Sequence, residues 1–160
     1  MLKKTNNIIF IFILCIITTS LIGAFIIEYV LGYQPCKLCI YERVPYFVSI
    51  FLILEILFLK KNIKFTLLLI SITFLVSSIL AFYHFGIEQG FIIESFMCEN
   101  EKVSEIITKE ELLDQLKSNS ISCKDVSFTF FGFSLAAINT ILSLLLSVIF
   151  IRLFLNYEKN

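Results

Sequence analysis

The chain has 160 residues, with 13 basic and 13 acidic side chains and a formal net charge of zero, so its charge favours neither nucleic acid nor an acidic substrate. It is 58% hydrophobic, holds 18 Phe and has a mean hydropathy of +0.92, more apolar surface than a soluble core of this length can hide. This excludes an ordinary soluble globular protein and places the chain in a bilayer.

A spanning helix needs about 20 mainly apolar residues, and four segments approach that: 8–27, 44–59, 65–82 and 130–155. The pattern predicts an all-α integral membrane protein, a single domain over 1–160 built as a four-transmembrane-helix bundle. The first segment follows Lys3 and Lys4, as a secretory signal would, but its apolar run is longer than the roughly 7–15 residues of a signal core. No A-x-A cleavage pattern follows, so it is read as an uncleaved helix. Next comes a loop over 28–43 containing "QPCKLCIYER". Lys60, Lys61 and Lys64 crowd the connection between the second and third helices, and Lys3, Lys4, Arg152 and Lys159 flank the chain ends. By the positive-inside rule both termini and this connection are cytoplasmic, and the loops over 28–43 and 83–129 face outward. In a Gram-negative inner membrane that face is the periplasm.

Within the second outward loop, Thr108-x-x-Glu111 reads as a capping box, so a short amphipathic helix is expected from about Lys109, ending before "SNS". Its apolar residues, among them Leu112, Leu113 and Leu116, suit either the membrane surface or packing within the loop.

Cys36, Cys39, Cys98 and Cys123 all fall in the outward loops, and only Cys15 lies within a helix, where a small apolar packing role is expected. Disulfides form and persist on such an oxidising face. Two structural bridges are one reading. The spacing weighs against it, because a Cys36–Cys39 bridge closes almost no chain and gains little loop entropy. A short Cys-x-x-Cys ring is a recurring redox device, since nearby charge and helix ends lower one thiol's pKa. A four-Cys zinc site usually presents two close pairs, and Cys98 and Cys123 are far apart in sequence.

If Cys39 to Arg43 makes a helical turn, the guanidinium shares a face with the Cys39 sulfur and can support an anionic sulfur or a bound polar ligand. The other reading of Arg43 is an interfacial anchor paired with Glu42. Pro45 is expected to separate this turn from the second membrane helix, because it disfavours helical geometry at Val44. Asn139 and the serines of the fourth helix are expected to bond neighbouring helices, and Glu55 to reach water or a lysine.

Taken together, "PCKLCIYER", a third helix ending in "FYHFGIEQG", the Cys98…Cys123 loop and "FFGFSLAAIN" at the fourth helix resemble the DsbB family of quinone-dependent disulfide-bond formation proteins over nearly the whole chain. The resemblance implies a relay in which a periplasmic DsbA-type thiol oxidase delivers electrons to the loop pair. By position, Cys98 forms the mixed disulfide with the partner, Cys123 attacks Cys36, and Cys39 is released as a thiolate toward the quinone, with Arg43 near the quinone oxygen. His84 resembles a family histidine at the same site, or else fixes the helix end. The catalytic candidates are therefore Cys36, Cys39, Cys98 and Cys123, and the quinone-binding candidates Arg43 and His84, with no metal expected. The acceptor is ubiquinone or menaquinone. Phe128 stands where the family often carries Trp. The competing readings are a non-enzymatic membrane scaffold with structural loop disulfides and a metal-binding membrane module.

Overall fold

The computed structural model describes residues 2–60, 62–93, 123–124, 128–130 and 132–158. Four helices dominate: α1 (Leu2–Phe25), which runs into a π-helical turn (Ile26–Val30), α2 (Lys37–Phe58), α3 (Ile63–Glu88) and α4 (Leu135–Glu158). A two-stranded antiparallel hairpin, β1 (Thr129–Phe130) and β2 (Phe133–Ser134), precedes α4. Among the described residues, three stretches are long and apolar enough to cross a membrane: Asn7–Val30, Ile63–Glu88 and Leu135–Tyr157. The 22 residues of α2 are long enough, but they include Glu42, Arg43 and Glu55. The amphipathic helix expected near Lys109 lies outside the described residues.

The polarity of the bundle is that of a membrane protein. Large apolar side chains such as Phe12, Phe51, Phe65, Ile79 and Leu145 point outward. Small hydroxyl residues are turned inward: Ser49, Ser77, Ser143 and Ser147 are almost wholly buried. Between α3 and α4 they bond in pairs, Ser77 Oγ to Ser143 Oγ at 3.2 Å and Ser147 Oγ to the Ser71 carbonyl at 3.1 Å. Small side chains let backbones approach, and each such bond in lipid contributes about 0.6 kcal/mol. The apolar centre is filled by Phe10, Ile13 and Ile17 of α1, spaced for one helical face, with Ile53 of α2, Phe74 of α3 and Phe150 of α4. The Phe74 and Phe150 rings stack 6.0 Å apart.

Several boundaries depart from expectation. Pro45 does not separate a turn from α2; it sits inside one continuous helix that begins at the cysteine motif. The start is set by Cys36, whose extended backbone lets its sulfur accept from the Cys39 N–H at 3.3 Å. α3 runs on to Glu88, beyond the expected end at 82, so His84 is a helical residue. The first helix likewise continues through the π turn to Val30. The last helix starts later than expected, because Gly132 takes a φ of +83° in the hairpin turn and Ser134 Oγ then accepts from the Ala137 N–H at 3.2 Å. Cys15 faces outward and is exposed, not packed inside.

Gly86 permits a close approach. A Cβ built there meets Ile92 Cδ1 at 2.6 Å and Cγ1 at 3.0 Å. The segment after α3 folds back over this glycine, with the Phe91 and Ile92 amides both donating to the Gly86 carbonyl. Gly86→Ala is expected to lower stability by about 1–2 kcal/mol through overpacking, and Ile92→Val, which removes the Cδ1 atom, to recover part of the loss. Unfolding midpoints of the single and double variants check this; absence of coupling would refute the contact.

Candidate functional site

The site forms at the junction of the α2 N-terminus, the end of α3 and the first turns of α4. Cys36 and Cys39 are free thiols with their sulfurs 3.0 Å apart, close enough for one to donate to the other. Cys36 is buried and Cys39 partly so. The i, i+3 spacing places both sulfurs on one side of the first helical turn, where unpaired backbone amides favour negative charge.

His84, on α3, lies between this pair and a carboxylate. Its Nε2 is 3.5 Å from Cys36 Sγ and its Nδ1 is 2.7 Å from Glu42 Oε1. Glu42 is one helical turn beyond Leu38 on the buried face of α2. Its second oxygen accepts from Asn139 Nδ2 of α4 at 2.6 Å. Asn139 Oδ1 in turn accepts from Tyr46 OH, and from Ser143 Oγ at 3.2 Å. This network orients the whole set. Tyr46 and Ser143 fix the Asn139 amide, its NH₂ points to Glu42, and Glu42 accepts the hydrogen bond from His84 Nδ1–H. Nε2 then faces Cys36, where it can take the thiol's proton and donate it back to the thiolate as a hydrogen bond.

The Cys36 thiol is thereby held well below its ordinary value of 9.0. The hydrogen bond from the Cys39 side chain contributes most, burial opposes it, and His84 adds a hydrogen bond and charge. The Cys39 thiol is pushed up, first by its contact with Cys36 and then by burial. The negative charge of the pair therefore resides on Cys36, and thiolate persists into acid. Alkylation of the reduced protein by a small iodoacetamide reagent should continue far below pH 9.0 at Cys36, and Cys39 should stay inert. Mass spectrometry of the modified residues checks this. A Cys36 rate that falls from pH 9.0 downward like a free thiol's would refute it.

Arg43 pairs with an acid of the π turn and not with Glu42. Its Nη1 pairs with Glu28 of the π turn, and its guanidinium lies 5.0 Å from the Phe25 ring centroid. The π turn thus supplies the acid that anchors the start of α2 to the end of α1. Arg43, His84 and both cysteines line one open cavity of about 540 Å³. Its remaining wall is largely apolar, with Leu21 and Ala24 from α1, Ile27 from the π turn, and Leu135, Ile138 and Leu142 from α4. Phe128 closes one side, edge-on to Tyr33 at 5.4 Å. One polar end and an apolar flank suit a quinone, which Arg43 and His84 would hold at the polar end. The residues present therefore fit the group.

Cys123 is disulfide-bonded and almost wholly buried. It packs in one small cluster with Cys36, Leu38 and Ile87. Cys98 lies outside the described residues. Glu42, Tyr46, Asn139 and Glu28 were not singled out as site residues from the sequence. One signal was there for Glu42, an ionisable residue three positions after a cysteine in a chain otherwise built for lipid.

A membrane helix bundle that gathers two free thiols and a histidine held by a carboxylate around one cavity, with a disulfide-bonded cysteine packed against one of the thiols, is a thiol–disulfide redox protein of the membrane. Comparison with known proteins agrees. The family described as "Disulfide bond formation protein DsbB" matches residues 6–153, and the chain belongs to that family. An uncharacterized protein of Rickettsia prowazekii (strain Madrid E) is 36% identical over 152 residues, covering 92% of this chain and 88% of that protein.

Proposed function

We propose that this protein is an inner-membrane protein-disulfide:quinone oxidoreductase that reoxidises a periplasmic DsbA-type dithiol protein. The observation that carries this reading is the burial of the disulfide-bonded Cys123 in the same cluster as Cys36. A loop disulfide with only a stapling role has no need of a thiol pair as its packing partner. In the proposed relay a partner thiolate attacks Cys98, forming a mixed disulfide and freeing Cys123. Cys123 then attacks Cys36 of a Cys36–Cys39 disulfide, forming Cys36–Cys123 and releasing Cys39 as a thiolate. The partner's second thiolate displaces Cys98, Cys98 re-forms its bond with Cys123, and the two electrons are left on Cys36 and Cys39.

The geometry explains how Cys39 becomes anionic at the required moment. Its proton is held chiefly by the contact with the Cys36 sulfur. Once Cys36 is bonded to Cys123 that negative sulfur is gone, and Cys39 faces the cavity alone. His84 Nε2 takes the proton of Cys36 when both thiols are reduced, and Glu42 holds the ring in the tautomer that can accept it. A quinone bound in the cavity supplies a two-electron, two-proton acceptor; Arg43 and His84 are proposed to hold it.

We further propose residues 44–59 as a fourth span, with both termini cytoplasmic and the cysteine loops periplasmic, following the lysines at 60, 61 and 64. A reporter active only in the periplasm should work when fused after Glu99 and fail after Lys61; the reverse pattern would overturn the compartment. The activity itself is tested by anaerobic mixing of the purified protein, a quinone and a reduced DsbA-type protein. Quinone absorbance should fall in proportion to partner disulfide formed. No loss of absorbance would sink the proposal.

A further inference from the structure

The same centre has the donor set of a metal site. Cys36 Sγ, Cys39 Sγ and one ring nitrogen of His84 all lie within 4.8 Å of one another. The hydrogen bond of Nδ1 to Glu42 makes Nε2 the free ligand atom, and a ligating histidine is usually fixed by just such a carboxylate on its other nitrogen. That carboxylate is itself held by Asn139, so the ring is oriented before any ion arrives.

A nearby carboxylate, just outside this 4.8 Å cluster, is the candidate fourth donor. Glu88 is one turn beyond His84 on α3, its side chain is buried, and its Oε1 lies 3.8 Å from His84 Nε2. Its Oε2 is buried with no hydrogen-bond partner. A buried carboxylate oxygen left without a donor costs on the order of 1–3 kcal/mol, which a cation ligated there would recover. Glu88 also lines the cavity that the two cysteines and His84 face.

We propose that the dithiol form of this centre binds zinc through Cys36 Sγ, Cys39 Sγ and His84 Nε2, with Glu88 as the fourth ligand. Two thiolates, an imidazole and a carboxylate suit a tetrahedral, borderline-soft cation, whereas magnesium and calcium require mostly oxygen ligands. Binding releases the remaining thiol protons and occupies both sulfurs, so no Cys36–Cys39 disulfide can form while the ion stays. The disulfide form offers no thiolate and cannot bind. Zinc and oxidation therefore compete for one sulfur pair, and excess zinc holds the protein reduced. This regulation rests on Cys36 and Cys39 passing through the dithiol state, as in the function proposed above.

The test uses full-length protein in detergent, with Cys98 and Cys123 changed to serine so that loop thiols do not contribute. After phosphine reduction and removal of the reductant, zinc is titrated against a chromophoric chelator, and cobalt(II) is added to a parallel sample. One zinc per chain should bind, and cobalt should show tetrahedral ligand-field bands with a thiolate-to-metal band. Cys36→Ser and His84→Ala should each abolish tight binding, and Glu42→Gln should weaken it by about 10-fold or more, with all four ligands still present. Glu88→Gln should also weaken it, and Cys15→Ser should change nothing. Binding that survives Cys36→Ser and His84→Ala, equal binding by the oxidised protein, or a cobalt spectrum without thiolate character would each overturn the proposal. An unchanged affinity in Glu88→Gln would overturn the fourth ligand. Metal-free wild-type protein is assayed separately for partner oxidation: loss there with zinc binding intact refutes the oxidase reading, and normal activity with no zinc binding refutes only the site.

Discussion

Cys39→Ser is expected to lower electron transfer from a DsbA-type partner to quinone by on the order of 10³-fold or more, because the relay's last sulfur is removed and Cys36 is left without its exchange partner. The first half of the relay should survive. A partner protein retaining only its nucleophilic cysteine should still be trapped on Cys98, since that step uses the loop disulfide alone. Cys15, which faces outward from α1, serves as the control, and Cys15→Ser should change neither measurement. Non-reducing electrophoresis and peptide mapping report the adduct, and quinone absorbance reports turnover. Capture of the partner on Cys36, or turnover preserved in Cys39→Ser, would show that electrons travel another way.

The second large effect belongs to Glu42. Its two oxygens hold His84 and Asn139, so Glu42→Ala leaves two buried donors without acceptors and removes one polar link from α2 to each of α3 and α4. Breaking a buried pair of this kind costs about 3–5 kcal/mol. Glu42→Gln retains one acceptor oxygen and is expected to recover part of that cost. Denaturant unfolding in detergent measures the difference, and the acid reactivity of Cys36 measures the chemistry. In Glu42→Gln that reactivity should retreat toward the ordinary thiol range, because His84 loses the group that fixes its tautomer. A Glu42→Ala protein with an unchanged unfolding midpoint would show that the network carries no stability.

The parts of this molecule that follow from local rules were readable in the chain. Long apolar runs marked out the membrane helices because lipid imposes a length and a composition on each segment alone. The cysteines declared redox chemistry through spacing, as Cys36 and Cys39 need only one helical turn to meet. The site's second half depends on which helices become neighbours, and no local pattern reports that. Glu42 looked like a counter-ion for Arg43, its sequence neighbour, yet side chains at adjacent positions point to different sides of a helix. Arg43 turned toward Glu28 on α1, and Glu42 toward His84 and Asn139. Pro45 was expected to interrupt the helix; its place in the third turn of α2, beyond the capped start at Cys36, shows packing overriding that local preference. His84 was legible as a candidate, but its role follows from partners that lie 42 and 48 positions away in the chain.

The hydrogen-bonded chain from Cys36 to Ser143 also bears on how the protein is made. Its members emerge from the ribosome in the order α2, α3, α4, and Asn139 is among the last to arrive. Until then Glu42 lacks one of its two holders, and until α3 is in place Cys36 has no histidine beside it. A nascent or truncated chain therefore carries its Cys-x-x-Cys without the histidine's share of the stabilisation, and Cys36 reaches its full acidity only when synthesis is nearly finished. Full reactivity is thus withheld from incomplete chains by the order of the helices alone, which limits premature exchange with other thiols.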